Sequence, residues 1–250
     1  MGKIISIANN KGGIGKTTTT LNLAAALSRL DKKVLMVDLD PQASLSVNYG
    51  LEALDSQNSI YNVLMDELDI EKIMCKLDEN LYLIPATIEL SKVELNLISR
   101  LSRETVLKKK LSKVKKDFDY ILIDNSPSLG LLTINSLVAS DYVVAPTDPT
   151  YLSLKGLEIL SEVVEQVKEI NENLIFLGVI VTMFDSRINH HREVIEELKN
   201  KYPVFNSIIK RSIKFSDSGL NMTSIYEYAG NKFSGSISYL DIAKEIINNA

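Results

Sequence analysis

The chain has 250 residues, 45% of them hydrophobic and 24% charged, which is typical of a globular protein with a substantial core. Its one cysteine, Cys75, excludes an intrachain disulfide and any site that needs two cysteines of one chain. The net charge of −4 excludes a protein that is basic throughout, and no apolar run is long enough for a signal peptide or for the roughly 18–20 residues of a membrane span.

Short apolar, β-branched runs alternate with longer helical patterns along the chain. The runs predict strands at 4–8, 34–38, 81–86, 120–124, 142–146 and 176–182. The helical patterns predict helices at 17–29, 92–115 (as two helices), 128–139, 153–170 and 190–201. Nearly all the strand runs lack polar alternation, as expected for parallel strands that are buried on both faces. We therefore predict one α/β domain over 1–250, with a doubly wound, mostly parallel sheet flanked by helices.

Two stretches have weaker patterns. Residues 40–80 are less periodic and predict short helices at most, and residues 206–235 predict mainly loops. Neither stretch contains a low-complexity linker, so we place no domain boundary in them.

The segment between the first strand and the first helix has the composition of a phosphate-binding loop. Its glycines, which let backbone N–H groups curl around an anion, are Gly12, Gly13 and Gly15. The helix that follows adds a positive N-terminal dipole. Lys16 can reach the β- and γ-phosphates, and the Thr17 hydroxyl can ligate Mg²⁺. The spacing fits G-x-x-x-x-G-K-T only in part, because Asn10 stands at the usual first glycine and Lys11 follows it.

Acidic residues lie at the ends of the second and fourth predicted strands. Asp38 and Asp40 belong to the segment VDLDPQ, and Asp124 ends the segment YILID. Carboxylates beside a phosphate loop can hold Mg²⁺ or orient an attacking water, whereas a simple Asp-Pro turn is the structural alternative at Asp40. In combination with the loop, these residues favour a nucleoside triphosphatase.

With these motifs in place, the sequence resembles the ParA/Soj family of bacterial partition ATPases. This family belongs to the deviant Walker A group of phosphate-loop NTPases, together with MinD and the nitrogenase iron protein. The mark of the group is KGGxGKT, which is KGGIGKT here, and its extra lysine matches Lys11. Further segments similar to ParA sequences are DLDPQ, DNSPSLGLLTINSLVASD, PTDPTYLSLKGLEIL, MFDSRINHH and KRSIKFSDS.

The resemblance implies ATP and Mg²⁺ as cofactors and an ATP-dependent sandwich homodimer. Lys11 would reach the partner's nucleotide in the manner of an arginine finger, Lys16 would act on its own nucleotide, and Asp40 would position the hydrolytic water. Asp38 and Asp124, with Thr17, would lie near Mg²⁺. The residues expected to bind ATP are Lys11, Gly12, Gly13, Ile14, Gly15, Lys16, Thr17, Thr18, Lys210 and Ser212.

The resemblance also implies binding to macromolecules. The ATP dimer of the family binds DNA without sequence preference, and a ParB-type centromere-binding partner stimulates its slow hydrolysis. The matching basic residues, which would neutralise DNA phosphates, are Arg187, Lys210, Arg211 and Lys214. We expect a protein of the bacterial cytoplasm that is nucleoid-associated when ATP-bound and has no stable membrane association. Because the chain starts almost at its first strand, we expect no N-terminal helix-turn-helix extension.

The sequence departs from the ParA pattern at three places. The substituted positions are Asn125 and Ser126 in DNSPSLG, Asp148 and Thr150 in place of a common Gln and Glu, and Lys210-Arg211-Ser212 in place of Pro-Arg-Asn near the adenine. The phosphate side of the site is intact, which predicts that ATP binding and hydrolysis are retained.

A lysine-rich stretch, LKKKLSKVKK at 107–116, has two interpretations. It can form an amphipathic helix with Leu107, Leu111 and Val114 inward and its lysines in solvent. Alternatively, these lysines contact DNA or a partner.

The main rival function is that of a MinD-like membrane-cycling ATPase in division-site placement. Such chains end in a basic, aromatic amphipathic helix, and the C-terminal segment SGSISYLDIAKEIINNA is poor in both features. Electron transfer of the iron-protein kind requires two cysteines from each subunit, which Cys75 alone cannot supply. A non-enzymatic switch, in which ATP binding without hydrolysis changes the state of the protein, is a further alternative.

Overall fold

The computed structural model describes residues 2–51 and 58–250, and this part of the chain forms a seven-stranded sheet. The strands are β1 (Lys3–Ile7), β2 (Val34–Leu39), β3 (Cys75–Asp78), β4 (Leu81–Ile84), β5 (Tyr120–Asn125), β6 (Tyr142–Thr147) and β7 (Ile175–Val181). Their order across the sheet is β3-β4-β2-β5-β1-β6-β7. Every neighbouring pair is parallel except β3 with β4. The predicted α/β fold with a mostly parallel sheet is confirmed.

Eleven α-helices surround the sheet in the described ranges. They are α1 (Lys16–Ser28), α2 (Ser44–Val47), α3 (Ile60–Leu64), α4 (Val93–Leu97), α5 (Val106–Val114), α6 (Leu131–Ala139), α7 (Tyr151–Val167), α8 (Asn189–Lys201), α9 (Ile213–Leu220), α10 (Ile225–Ala229) and α11 (Ser234–Asn249). The stretch 92–115 contains two α-helices, as predicted. Helix α6 begins three residues later than predicted, because the Ser128 hydroxyl accepts from the Gly130 amide in a local turn.

The prediction of a loop-rich stretch over 206–235 was correct only in part, because α9 and α10 also lie there. Helix α10 opens with a capping box in which Ser224 and Glu227 satisfy each other's backbone amides. The spacing of these two residues was a usable sequence signal. Strand β3 was also missed: it has four residues at the sheet edge, and its side chains alternate between half-buried and exposed.

Helices cover both faces of the sheet, as in a doubly wound fold. On one face, side chains such as Ile5 and Leu122 pack with those of α1 and α11. On the other face, Ile4 and Ile121 pack with α3, α5 and α6, while Val143 packs with α7 and α8. Alternate residues of β1, β5 and β6 therefore enter opposite core layers, which explains their continuous apolar runs.

The sheet topology brings the sequence motifs to one edge. The carboxyl ends of parallel strands lie together, so the loops that follow β1, β2, β5, β6 and β7 are neighbours. Asp38 at the end of β2 is the direct register partner of Asp124 in β5, and Ile7 at the end of β1 flanks Asp124 on the other side. This edge therefore carries the candidate site.

Candidate nucleotide-binding site

The loop between β1 and α1 is fixed at both ends. At its start, the Asn9 side-chain amide donates to the Pro146 carbonyl at 2.9 Å and to the Thr147 hydroxyl at 3.2 Å. Near its end, the carbonyl of the buried Ile14 accepts from the Thr182 hydroxyl at 2.8 Å. The loop is thereby tied to the ends of β6 and β7, which holds its backbone in a defined shape.

Two glycines give this loop its curvature. Gly13 and Gly15 have φ values of 73° and 91°, in the left-handed region that a side chain disfavours. Helix α1 begins directly after Gly15, so its first backbone amides point into the loop. The arrangement forms a concave, electropositive cradle for an anion.

Lys16 occupies the centre of this cradle. Its side chain is buried, and its ammonium donates to the Lys11 carbonyl at 2.9 Å across the loop. Burial lowers the pKa of Lys16, while the nearby carboxylates of Asp124 and Asp40 oppose that shift. A buried cation beside the first backbone amides of a helix is suited to a multiply charged anion such as a phosphate chain.

Asp38 and Asp124 form a buried acidic pair beside the cradle. Burial raises the pKa of both carboxyl groups, and the proximity of Asp38 raises that of Asp124 further. Asp38 accepts from the Ser46 amide at 2.8 Å and from the Ser46 hydroxyl at 2.7 Å. Asp124 accepts from the Thr20 hydroxyl at 3.1 Å through Oδ1. Among the described residues, no hydrogen-bond donor reaches its buried Oδ2.

This acidic pair fits a hard divalent cation. An orphaned carboxylate oxygen in a water-poor position is destabilising, and a cation, bound directly or through water, would compensate for it. The Thr17 hydroxyl lies beside Asp124 and would add a further oxygen ligand. The residues present therefore match the oxygen chemistry of Mg²⁺.

Asp40 lies farther out than this pair, in a half-buried position after β2. Its Oδ1 accepts from the Gln42 amide at 2.9 Å. Together with Gly12, Lys16 and Thr17, it lines a cavity of about 430 Å³. Asp40 is thus the carboxylate of this edge that faces both the phosphate cradle and solvent.

A second cavity, of about 460 Å³, adjoins the first through Gly15, Thr18 and Met183. Its lining is mainly apolar and also includes Thr182, Ile209, Lys210, Arg211, Ser212, Ile213, Phe215, Ser216 and Tyr239. An apolar slot next to a phosphate cradle has the character of a base pocket. Lys210 and Ser212 lie here. Sequence reasoning missed Phe215 and Tyr239 as cavity residues: Phe215 lies within the ParA-like segment KRSIKFSDS but was given no role, and both side chains reach the cavity through the packing of α9 and α11.

Lys11 points to a different place from Lys16. Its ammonium lies 3.0 Å from both carboxylate oxygens of Asp148, 3.1 Å from the Thr150 hydroxyl and 3.0 Å from the Ser153 hydroxyl. Neither cavity includes Lys11 in its lining, as far as the described residues define them. The two lysines of the loop therefore have separate environments within one chain.

Of the four basic residues matched to DNA, Arg187, Lys210 and Arg211 lie on neighbouring loops and Lys214 lies in the first turn of α9. A β-bridge between Phe184 and Lys210 brings the loop after β7 against 210–214, and the Arg211 amide donates to the Phe184 carbonyl at 2.9 Å. Arg187 is 87% exposed and forms a bidentate pair with Asp185, which lowers the pKa of that carboxyl group. Lys214 lies 4.8 Å from the centre of the Phe233 ring.

The lysine-rich helix α5 has the predicted amphipathic packing. Its apolar residues Leu107, Leu111 and Val114 are buried. Of the six lysines in 107–116, three form ion pairs with acidic residues; these pairs are Lys110–Asp66, Lys113–Asp69 and Lys115–Asp141. Half of the charge on this stretch is therefore paired within the chain. This pairing favours the solvated-face interpretation.

Comparisons with known proteins agree with this geometry. A family model described as an AAA domain matches residues 2–176. The chain is 44% identical to the sporulation initiation inhibitor protein Soj of Bacillus subtilis over the whole of both chains. It is 37% identical to the chromosome partitioning protein ParA of Myxococcus xanthus, covering 99% of this chain and 88% of that protein.

Solved structures show the same fold. Cobyrinic acid a,c-diamide synthase of Mycobacterium smegmatis with bound ADP and magnesium superposes with a TM-score of 0.87 at 33% identity, over 99% of this chain and 95% of that one. The fold and the phosphate cradle thus define a phosphate-loop ATPase. Within that class, the chain belongs to the Soj/ParA family of chromosome-partitioning ATPases.

No α-helix in the described ranges is both long enough and apolar enough to span a membrane.

Proposed function

We propose that the chain is a DNA-partition ATPase that cycles between a monomer and an ATP-bound dimer. The dimer binds DNA without sequence preference, and a ParB-type centromere-binding protein stimulates its slow hydrolysis. The observation that carries this proposal is the convergence of Lys16, Asp38, Asp40 and Asp124 on one phosphate cradle, in a chain 44% identical to Soj.

ATP would lie across the two adjoining cavities. Its phosphates would contact the backbone of 12–18 and the Lys16 ammonium, while its base would enter the apolar cavity beside Lys210 and Ser212. Thr17, Asp38 and Asp124 would hold Mg²⁺, which neutralises charge on the phosphates when bound. The burial of this acidic pair supports the assignment, because a bound cation would offset the cost of keeping the two carboxylates charged there.

Hydrolysis requires a positioned water and a compensating positive charge. Asp40 is suited to orient the water because it is half-buried and lines the phosphate cavity. Lys16 would stabilise the phosphates of its own chain, and Lys11 would reach those of the partner chain. Phosphoryl transfer depends mainly on such positioned charge, so two lysines from two chains suffice in this role.

DNA binding would use the exposed basic residues of the two neighbouring loops and of the first turn of α9. A two-fold dimer doubles this patch, so four residues per chain can act together despite a net charge of −4. The contacts would be mainly to phosphates and would weaken with salt. In a bacterial cytoplasm, such binding would associate the ATP dimer with the nucleoid.

The MinD-like alternative requires a C-terminal helix that is free to enter lipid. In α11 the apolar side chains Tyr239, Ile242 and Ile246 are buried in the same core as α1. An amphipathic membrane anchor needs that face to be free. The packing of α11 therefore supports partition over membrane cycling.

The decisive experiment measures steady-state ATP hydrolysis by the full chain under four conditions: alone, with DNA, with a ParB-type protein from the same organism, and with both. We expect a slow basal rate that the partner and DNA raise together by about tenfold or more. Rates that are unchanged by DNA and partner but raised by anionic vesicles would contradict the proposal and favour the MinD-like function.

A further inference from the structure

The Lys11 side chain is held within its own chain by a complete set of oxygen acceptors. Asp148 contributes both carboxylate oxygens, and Thr150 and Ser153 contribute their hydroxyls. The ammonium has three N–H donors, so these four oxygens satisfy it fully. Lys11 is only 31% exposed and Asp148 only 16%, so solvent screens this pair less than it would an ion pair of two exposed side chains.

The carboxylate of Asp148 is the part of this set that makes it favourable for a cation. Thr150 is the N-cap of α7, and Ser153 lies in the first turn of that helix. The N-terminus of a helix carries a partial positive charge, which disfavours a nearby ammonium group. Asp148 supplies the compensating negative charge, and it also accepts from the Ser153 and Thr150 hydroxyls.

We propose that Asp148 is a positioning residue that latches Lys11 to its own chain and must release it before Lys11 can serve a partner chain's nucleotide. This inference rests on the proposed cross-dimer role of Lys11. Asp148 is also one of the positions at which the sequence departs from the ParA pattern. The carboxylate that holds Lys11 is therefore a feature of this chain and not of the common family pattern. The incoming phosphates of the partner must compete with a carboxylate that is already in place.

The latch couples dimerisation to the breaking of one ion pair in each chain. If both pairs exist in the monomers and are lost in the dimer, the sum of their free energies opposes association. Removing the Asp148 charge should therefore tighten the ATP dimer. Couplings of this kind typically change affinity by about 5- to 150-fold, and we expect about tenfold here because the pair is partly exposed.

The test compares Asp148→Asn with Glu158→Gln. Both changes remove one negative charge from the same part of the chain, but Glu158 pairs with Lys201 and is remote from Lys11 in the hydrogen-bond network. Asp148→Ser provides a second, smaller replacement in case the amide perturbs folding. Lys11→Ala, alone and combined with Asp148→Asn, tests whether any effect passes through Lys11.

Two readouts separate the latch from the proposed dimer. The first is the acylation rate of Lys11 in the nucleotide-free monomer, measured by mass spectrometry after limited treatment with an amine-reactive acetylating reagent. We expect a severalfold increase in Asp148→Asn and no change in Glu158→Gln. The second is the dissociation constant of the dimer with ATP and Mg²⁺, measured by sedimentation. We expect it to fall about tenfold in Asp148→Asn, and the Lys11→Ala background should abolish this gain.

Each result has a defined meaning. An unchanged acylation rate in Asp148→Asn overturns the latch, and so does a raised rate with an unchanged or weaker dimer. If the wild-type chain still dimerises with ATP when one of these two results is found, only the latch is overturned and the proposed function stands. If the wild-type chain and all variants stay monomeric with ATP, the proposed function is contradicted and the latch fails with it.

Discussion

Asp38 and Asp124 are direct neighbours across β2 and β5, and both carboxylates are fully buried. Parallel pairing places them at the same height on adjacent strands, with Lys16 as the nearby cation. Two acids are thus held at one point, and one oxygen of Asp124, Oδ2, has no donor among the described residues. Such a cluster costs stability in the empty protein and gains it when a cation binds.

We expect the metal-free protein to lose stability as pH rises, through this acidic pair. Burial raises the pKa of Asp38 and Asp124 in the folded state, so the folded protein holds protons that the unfolded chain releases. The resulting stability is fully present below the ordinary aspartate pKa of about 4 and is lost as pH rises through the raised values. The free energy of unfolding, measured with urea at a series of pH values from about 4 upward, should therefore decrease as the pH rises.

Asp124→Asn isolates the contribution of the pair from that of other titrating groups. At about pH 8 and without nucleotide, this variant should be more stable than the wild type by about 1–3 kcal/mol, because it removes a buried charge. Excess ATP with Mg²⁺ should stabilise the wild type but not the variant. A variant less stable than the wild type at every pH would contradict this assignment.

Lys16→Ala should reduce ATP affinity by at least about 100-fold, because it removes the buried cation at the centre of the cradle. Binding of a fluorescent ATP analogue to the monomer measures this directly. Lys113→Ala is the matched control, since Lys113 is exposed and pairs with Asp69 far from the cradle. Equal affinities in Lys16→Ala and the control would refute the phosphate-binding role of the loop.

Asp40→Ala should retain ATP-dependent dimers while hydrolysis falls by about 100-fold or more, because the change removes the residue that orients water and leaves the cradle intact. Sedimentation and phosphate release, measured on the same sample, separate the two effects. Gln42→Ala, in the same cavity, controls for local disturbance. If Asp40→Ala hydrolyses ATP at the wild-type rate, another group must position the water.

Arg211→Glu should weaken ATP-dependent DNA binding by about tenfold or more at moderate salt, with a shallower dependence on salt concentration. The comparison is Lys109→Glu, which makes a similar charge change on the exposed face of α5. Fluorescence anisotropy with a random-sequence duplex over several salt concentrations measures both variants. If Lys109→Glu weakens binding as much as Arg211→Glu does, the lysine-rich helix is also a DNA surface.

The sequence predicted the sheet well because its strands are buried on both faces and have continuous apolar runs. The positions of Lys16, Asp38, Asp40 and Asp124 at or after the ends of strands also predicted that they lie together, since the carboxyl ends of parallel strands meet at one edge of the sheet. Helices α9, α10 and α11 follow no comparable rule. They form by packing against α1 and one another, and the sequences of α9 and α11 mix glycine, serine and charged residues with apolar ones.

The contact between Lys11 and Asp148 could not be predicted from the sequence. The two residues are 137 positions apart, and only the order of β1 and β6 in the sheet makes them neighbours. Asp148 was recognisable as a departure from the family pattern, but nothing in the sequence indicated its partner. The apolar cavity lined by Phe215 and Tyr239 was hidden for the same reason.

The hydrogen bonds of Asn9 to Pro146 and Thr147 have a mechanical consequence. They join the nucleotide loop to the last residues of β6, immediately before Asp148. On the far side of the loop, Gly156 leaves room for Asn10, because a Cβ there would collide with the Asn10 side chain. The nucleotide loop therefore packs directly against both elements that carry the acceptors of Lys11, the end of β6 and helix α7, so a displacement of the loop would strain those contacts.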